Sequence, residues 1–294
     1  MVLGIGTAIS NMMVKGFQST VFGKPSDYDL KYEAVEFVNS DGVTLRGWLV
    51  EPETPTDKIL IQSHYGVQCS RSGYTPEGKG FMAPFPRKIS FLEAAPEYTK
   101  AGYAVLMYDL CNHGESDPGK TEYVSWGPNE AKDVVAAVKF AATDKNYKKI
   151  GLLSFCMGGA STVYAFGEGS LQPYASKLKA MVFLQPLTYK QMIVNMGFPA
   201  FLESMSTPVT KSRLGFDLSE KSFFPMANKV SVPTFVIQNT QDPFHKPEEV
   251  QEFYDSLTVE KDILLLDLEK SRFAGYEWIA QNPKKVLEWF DKFM

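Results

Sequence analysis

Residues 152–161 read LLSFCMGGAS: an apolar run suited to a buried strand, then a glycine-rich turn with one reactive side chain, Cys156, at its tip. A strand, a small residue, any residue, a nucleophile, any residue and a glycine together form the pattern of a sharp strand-to-helix turn. Bulky side chains two positions either side of the nucleophile would collide in such a turn, and Ser154 and Gly158 meet that demand. Gly159 lets the following helix pack close. The turn also puts Cys156 at a helix N-terminus, whose partial positive charge favours an anion there.

Working outward, five further apolar runs have strand length: KILIQS (58–63), YAVLMYD (103–109), AMVFLQ (180–185), PTFVIQN (233–239) and DILLLD (262–267). Continuous apolar strands imply burial on both faces, as in a parallel sheet. Ahead of them KYEAVEFV and VTLRGWLVE flank NSDG, which predicts a hairpin. NEAKDVVAAVKFAA (129–142) has apolar residues at helical spacing after an asparagine suited to N-capping. KPEEVQEFYDSL (246–257) and NPKKVLEWFDKF (282–293) each open with the proline of a helix start. A hairpin followed by alternating β and α predicts an α/β fold of about eight strands, mostly parallel, with helices on both faces.

One segment breaks the alternation. Residues 186–230 are longer than one crossover needs and rich in Met, Phe and Pro. They predict a small cap over the C-terminal edge of the sheet, where open α/β sheets bind ligands. Residues 1–30 read as an N-terminal helical extension, and 31–185 with 231–294 as the core. The first twenty residues lack the basic start and compact apolar run of a signal peptide. Asn11, Lys15 and Gln18 interrupt any span that could cross a bilayer.

The 294 residues carry 30 basic and 34 acidic side chains with both signs interspersed, which excludes a basic nucleic-acid surface. Three cysteines, Cys69, Cys111 and Cys156, are too few and odd in number for a disulfide framework, and the expected compartment is the cytoplasm. The loops containing His64, Cys69, Cys111 and His113 lack the paired spacing of zinc ligands, so no metal and no cofactor is expected. Glu130 and Asp133 read as charges in the first turn of their helix.

The sequence resembles the α/β-hydrolase superfamily. The likeness runs from about residue 30 to the end and rests on the elbow, on SHYG (63–66), on YDLCNHGES (108–116) and on NTQDPF (239–244). The cysteine elbow, FCMGG, looks most like the dienelactone hydrolase branch. The resemblance implies that Cys156 is a nucleophile, that the backbone amides of Met157 and Tyr65 form an oxyanion hole, and that Asp242 is the acid of a triad. It also implies a small-molecule acyl substrate: a carboxylic ester, thioester or lactone.

The triad histidine departs from that pattern. The loop where such proteins carry it reads DLEKSRFAGYEWIAQNP (267–283), with Arg272 or Phe273 at the expected place. Neither side chain can take a proton from a thiol and return it to a leaving group. Three outcomes follow. His245, three residues past Asp242, could supply the base; His64 and His113 read instead as braces of their loops, with His64 near enough to touch substrate. A thiol could acylate without a base and leave the acyl group to an acceptor other than water. Or the fold could bind a ligand without turnover, or act as a lyase, with Arg272, Phe273, Met196 and Phe198 lining the pocket.

Overall fold

The computed structural model describes residues 2–15, 19–66, 68–76, 86–197 and 199–294. The chain opens with helix α1 (Val2–Val14), then the hairpin strands β1 (Tyr32–Val38) and β2 (Thr44–Val50), and β3 (Lys58–Ser63). A small ribbon of β4 (Gly73–Tyr74) and β5 (Ile89–Ser90) leads to α2 (Ala95–Lys100), β6 (Ala104–Tyr108) and α3 (Ala131–Lys139). Next come β7 (Lys149–Phe155), α4 (Met157–Gly167), β8 (Leu178–Leu184), α5 (Tyr189–Asn195) and α6 (Ala200–Leu214). The chain closes with β9 (Thr234–Asn239), α7 (Pro247–Ser256), β10 (Lys261–Leu266), α8 (Arg272–Gln281) and α9 (Pro283–Phe293).

Eight strands form one sheet in the order β1-β2-β6-β3-β7-β8-β9-β10. The hairpin and the β2–β6 pair are antiparallel, and every other neighbour is parallel. The hairpin turn forms because Asn39 Oδ1 accepts from the amides of Asp41 (2.9 Å) and Val43 (3.1 Å). The central strands β3, β6, β7, β8 and β9 are buried along nearly their whole length, as their uninterrupted apolar runs require. The edge strand β1 alternates over its second half, where only Val35 and Phe37 are buried.

Helices cover both faces. One apolar cluster packs α3, α4 and α7 on the sheet through Ala137, Val163 and Phe253. The other packs α2, α8 and α9 on the opposite face through Tyr98, Ile279 and Phe290. Met13, Val14, Tyr189 and Met192 extend this second cluster over the C-terminal edge, so α1 and α5 join it there.

Two local expectations change. Asn129 does not cap α3, which starts two residues later. Glu130, at the N-cap, and Asp133, in the first turn, do sit at the start of α3, but both are fully buried and tie loops as well. Glu130 accepts from the Ser125 amide (2.8 Å), the Ser125 hydroxyl (2.6 Å) and the Gly127 amide (2.9 Å). Asp133 accepts from Asn39 Nδ2 (2.6 Å) and the Cys111 amide (2.8 Å). Their carboxylates fix the loops after β1 and β6, because those loops bring amides with no other partner into the interior. No helix among the described residues is long and apolar enough to cross a membrane.

Candidate active site

The elbow is built as its sequence requires. Cys156 sits between β7 and the first residue of α4 with φ 45° and ψ −106°, a conformation that non-glycine residues rarely adopt. Its amide donates to Leu184 O (2.9 Å), and its carbonyl accepts the first bond of α4 from Ala160 (2.9 Å). The small residues around it have no room to grow. A Cβ on Gly158 would lie 2.7 Å from the Ser63 carbonyl carbon and 2.8 Å from His64 O, both backbone atoms. A Cβ on Gly159 would lie 2.6 Å from the Phe183 ring.

The loop that carries Tyr65 packs against Met157, the residue after Cys156. Met157 opens α4, so its N–H has no acceptor within the helix. The loop after β3 approaches so closely that a Cβ on Gly66 would lie 2.5 Å from Met157 Sδ. Tyr65, in that loop, is buried, and among the described residues its amide makes no hydrogen bond.

Opposite the elbow, Arg272 lines the cavity that also reaches Cys156. Its Nη1 donates to Asp242 Oδ2 in a fully buried ion pair, and its Nη2 donates to Gln185 O (2.6 Å). The guanidinium also interacts with the Cys156 sulfur. Burial alone would weaken its hold on the proton; the Asp242 charge, with help from Cys156, outweighs burial and raises the pKa above that of a free guanidinium. Arg272 is therefore a permanent cation and cannot accept a proton. It is held at both ends: Gln185 Nε2 donates to the Arg272 carbonyl (2.5 Å), and Gln185 itself adopts φ 53°. Asn239 fixes the loop before it, donating to the carbonyls of Glu269 (3.0 Å) and Ser271 (2.9 Å). Asp242 is further held by the Phe244 amide (3.0 Å) and Gln238 Nε2 (3.4 Å).

The histidines lie elsewhere. His245 Nδ1 donates to the Lys246 carbonyl (2.7 Å) and stands 3.4 Å from Glu249 Oε2. Burial lowers its pKa, opposed by the Lys246 carbonyl and assisted by the Arg272 charge. It neighbours Asp242 and Arg272 but is not among the residues lining the cavity at Cys156. His64, expected to touch substrate, is instead fully buried with both nitrogens used: Nδ1 donates to Tyr65 O (2.7 Å) and Nε2 accepts from the Leu110 amide (3.1 Å). Burial lowers its pKa to about 3. His113 packs edge-on against it at 5.0 Å, and burial lowers its pKa to about 4. These two neutral rings brace the loops after β3 and β6.

A cavity of about 50 Å³ opens on Cys156. Phe273 and Arg272 line it, as does Tyr276, one helical turn beyond Arg272. Met192 and Leu187 line it from the segment between β8 and β9, and Phe244 from the Asp242 loop. Met196 packs on the same apolar cluster but is not a lining residue, and Phe198 lies outside the described residues. Sequence reading missed much of the wall, including Trp126, Leu187, Phe244, Tyr276 and helix α1. Met12 and Met13 of α1 reach the cavity, with the Met13 carbonyl accepting from Trp126 Nε1 (3.0 Å) and α1 tied to α6 by Ser10 and Thr210 (2.8 Å). Nothing in the local sequence points that helix at a cysteine far along the chain. Tyr276 was within reach, since residues four apart share a helix face.

Comparison with known proteins agrees with this architecture. A family model described as the alpha/beta hydrolase fold matches residues 86–224. No curated protein matches the chain. An esterase of Pyrococcus furiosus is 25% identical with a TM-score of 0.68, over 96% of this chain and 98% of that one. An alpha/beta hydrolase from Penicillium sp. is 17% identical (TM-score 0.61, covering 90% and 99%). An acetyl xylan esterase from Paenibacillus sp. is 15% identical (TM-score 0.63, covering 99% and 93%). The chain has the α/β-hydrolase fold, and its esterase neighbours support a hydrolase.

Proposed function

We propose that the chain forms an acyl-cysteine at Cys156 from a small apolar carboxylic ester, thioester or lactone, in the manner of a dienelactone-hydrolase-like enzyme, and that it releases the acyl group slowly. The cavity walls, apart from Arg272 and the tyrosine hydroxyls, are apolar and leave space for a short acyl group. The helices between β8 and β9 act with α1 as its cap. In this reading the thiol attacks the carbonyl carbon while the Met157 and Tyr65 amides hold the oxygen that becomes negative.

The observation that carries the slow release is Arg272, paired with Asp242, on the wall of the cavity that opens on Cys156. A thiol is nucleophilic enough to acylate with little help, whereas water needs a base to attack the thioester. A guanidinium cannot be that base. The same cation serves acylation, because it faces the sulfur and the charge that develops there. The acyl group then waits for an acceptor better than water.

Intact-mass spectrometry over time after mixing with 4-nitrophenyl acetate tests this, with Cys156→Ala as control. The expected result is one acetyl adduct that needs Cys156 and persists after the ester is removed. An adduct that vanishes within seconds would mean that water is activated, and would direct attention to His245. No adduct would overturn the nucleophile and leave a ligand-binding protein.

A further inference from the structure

Tyr276 is 1% exposed, yet among the described residues its hydroxyl has no partner at hydrogen-bond geometry. A buried, unpaired hydroxyl is destabilising, so such groups call for an explanation. This one lines the cavity together with Cys156. The ring is fixed on three sides. It stacks on Tyr65 (4.5 Å between centroids, 15° between planes), meets Phe155 at 6.4 Å and lies under the Arg272 guanidinium at 5.8 Å. The phenol cannot swing away to find another partner, and the space in front of it is where an acyl donor would sit.

Resting on the acylation proposed above, we propose that Tyr276 is a catalytic residue: its hydroxyl carries the thiol proton of Cys156 to the departing group of the acyl donor. The sulfur forms a bond to the acyl carbon, and the bond from that carbon to the leaving oxygen or sulfur breaks with its electron pair. The phenol gives its proton to that leaving atom and takes the proton of the thiol in return. Nothing is oxidised or reduced, and the phenol ends as it began. The step therefore needs no histidine and no free base.

The surroundings suit a neutral relay better than a phenolate base. Burial raises the phenol pKa well above its usual value, against the Arg272 charge, so the hydroxyl stays protonated at any working pH. The nearby guanidinium is placed to stabilise the partial negative charge that the oxygen carries in mid-transfer. Helical spacing explains why both groups line the same cavity: Arg272 and Tyr276 are four residues apart on α8.

Leaving-group dependence tests the relay. Tyr276→Phe removes the oxygen alone and keeps the stack on Tyr65. Acylation rates of wild type and variant are measured by intact mass with phenyl acetate, whose leaving phenol has a pKa of about 10, and with 4-nitrophenyl acetate, which leaves without needing a proton. General acid–base catalysis is typically worth about 10²–10⁴-fold. The expected result is a fall of roughly 10²-fold or more with phenyl acetate and under about threefold with the nitrophenyl ester. Equal falls with both esters would overturn the relay and leave Tyr276 as a wall of the pocket or an oxyanion donor. Unchanged rates with both would overturn it as well. If wild type forms no adduct with either ester, the acylation reading itself fails, a result distinct from the other two.

Discussion

The loops after β7 and β10 face each other across one cavity and are held by opposite means. The elbow is held by shape: a strained Cys156, and two glycines with no room for a Cβ against the Ser63 and His64 backbone and the Phe183 ring. The loop leading into α8 is held by charge and hydrogen bonds: Arg272 reaches Asp242 and Gln185, and Asn239 grips the two carbonyls before it. A hydrolase needs both loops, one for the nucleophile and one for the base. Here the first has the tight strand-to-helix turn, and the second presents a cation, Arg272, paired with Asp242. Backbone geometry constrains the elbow, while side-chain hydrogen bonds and charge hold the loop into α8.

The largest effect should come from breaking the charged loop. Arg272→Met leaves Asp242 buried without its cation, and removing one partner of a buried ion pair costs about 3–5 kcal/mol. Arg272→Met with Asp242→Asn removes both charges and should recover most of that loss. Urea denaturation of the two single variants and the double variant checks it. A cost under about 1 kcal/mol for the single arginine variant would mean the pair does not hold the loop. Next comes the loop held by shape. Gly158→Ala sets a Cβ against two backbone atoms that cannot step aside, and overpacking of this kind costs about 3 kcal/mol at its upper end. The same denaturation assay reads it, and a neutral alanine would refute the tight elbow.

A third variant makes the two loops alike. Arg272→His places an imidazole beside Asp242, on the wall of the cavity that opens on Cys156. Release of the acyl group should rise by roughly 10²-fold, the lower end of what a general base contributes. Stopped-flow mixing followed by quench and intact mass measures the lifetime of the adduct. If the lifetime does not shorten, the arginine is not what limits release.

How far this was readable in the sequence follows from the range of each interaction. Strand runs and the elbow are decided within a few residues, so LLSFCMGGAS and the apolar runs placed the sheet to within two residues at most ends. Asp242 and Arg272 lie 30 residues apart, and Gln185 lies 87 from Arg272. The sequence placed no histidine in the loop after the last strand, but did not reveal that Arg272 closes on Asp242. Met12 and Met13 were beyond reach altogether, since only tertiary packing brings α1 to the cavity. Glu130 and Asp133 do sit at the start of α3, but a helix start hides their buried partners: the Ser125 and Gly127 amides just before it for Glu130, and the Cys111 amide 22 residues away for Asp133.

The smallest effect concerns what stands behind the elbow. His64 and His113 are neutral rings whose pKa values burial lowers from 6.5 to about 3 and about 4. Unfolded, both take up a proton near 6.5, so the stability they contribute is full above that pH and is lost as the pH falls toward 4. Asp109 and Asp133 act in the opposite sense. Burial raises both from 3.8 to about 6, though Arg71 opposes this at Asp109 and the Cys111 amide at Asp133. The folded state therefore binds their protons first, and their contribution grows as the pH falls from 6 to 4. Two protons favour the unfolded chain and two the folded one, so across this window these groups leave wild-type stability nearly flat. Asp133→Asn keeps an acceptor for the Cys111 amide but removes one compensating proton. Its stability should then fall by about 1.4 kcal/mol for each pH unit between 6 and 4. Urea denaturation at several pH values measures that slope. A slope equal to that of wild type would mean that Asp133 takes up no extra proton in the folded chain and does not offset the histidines behind the elbow.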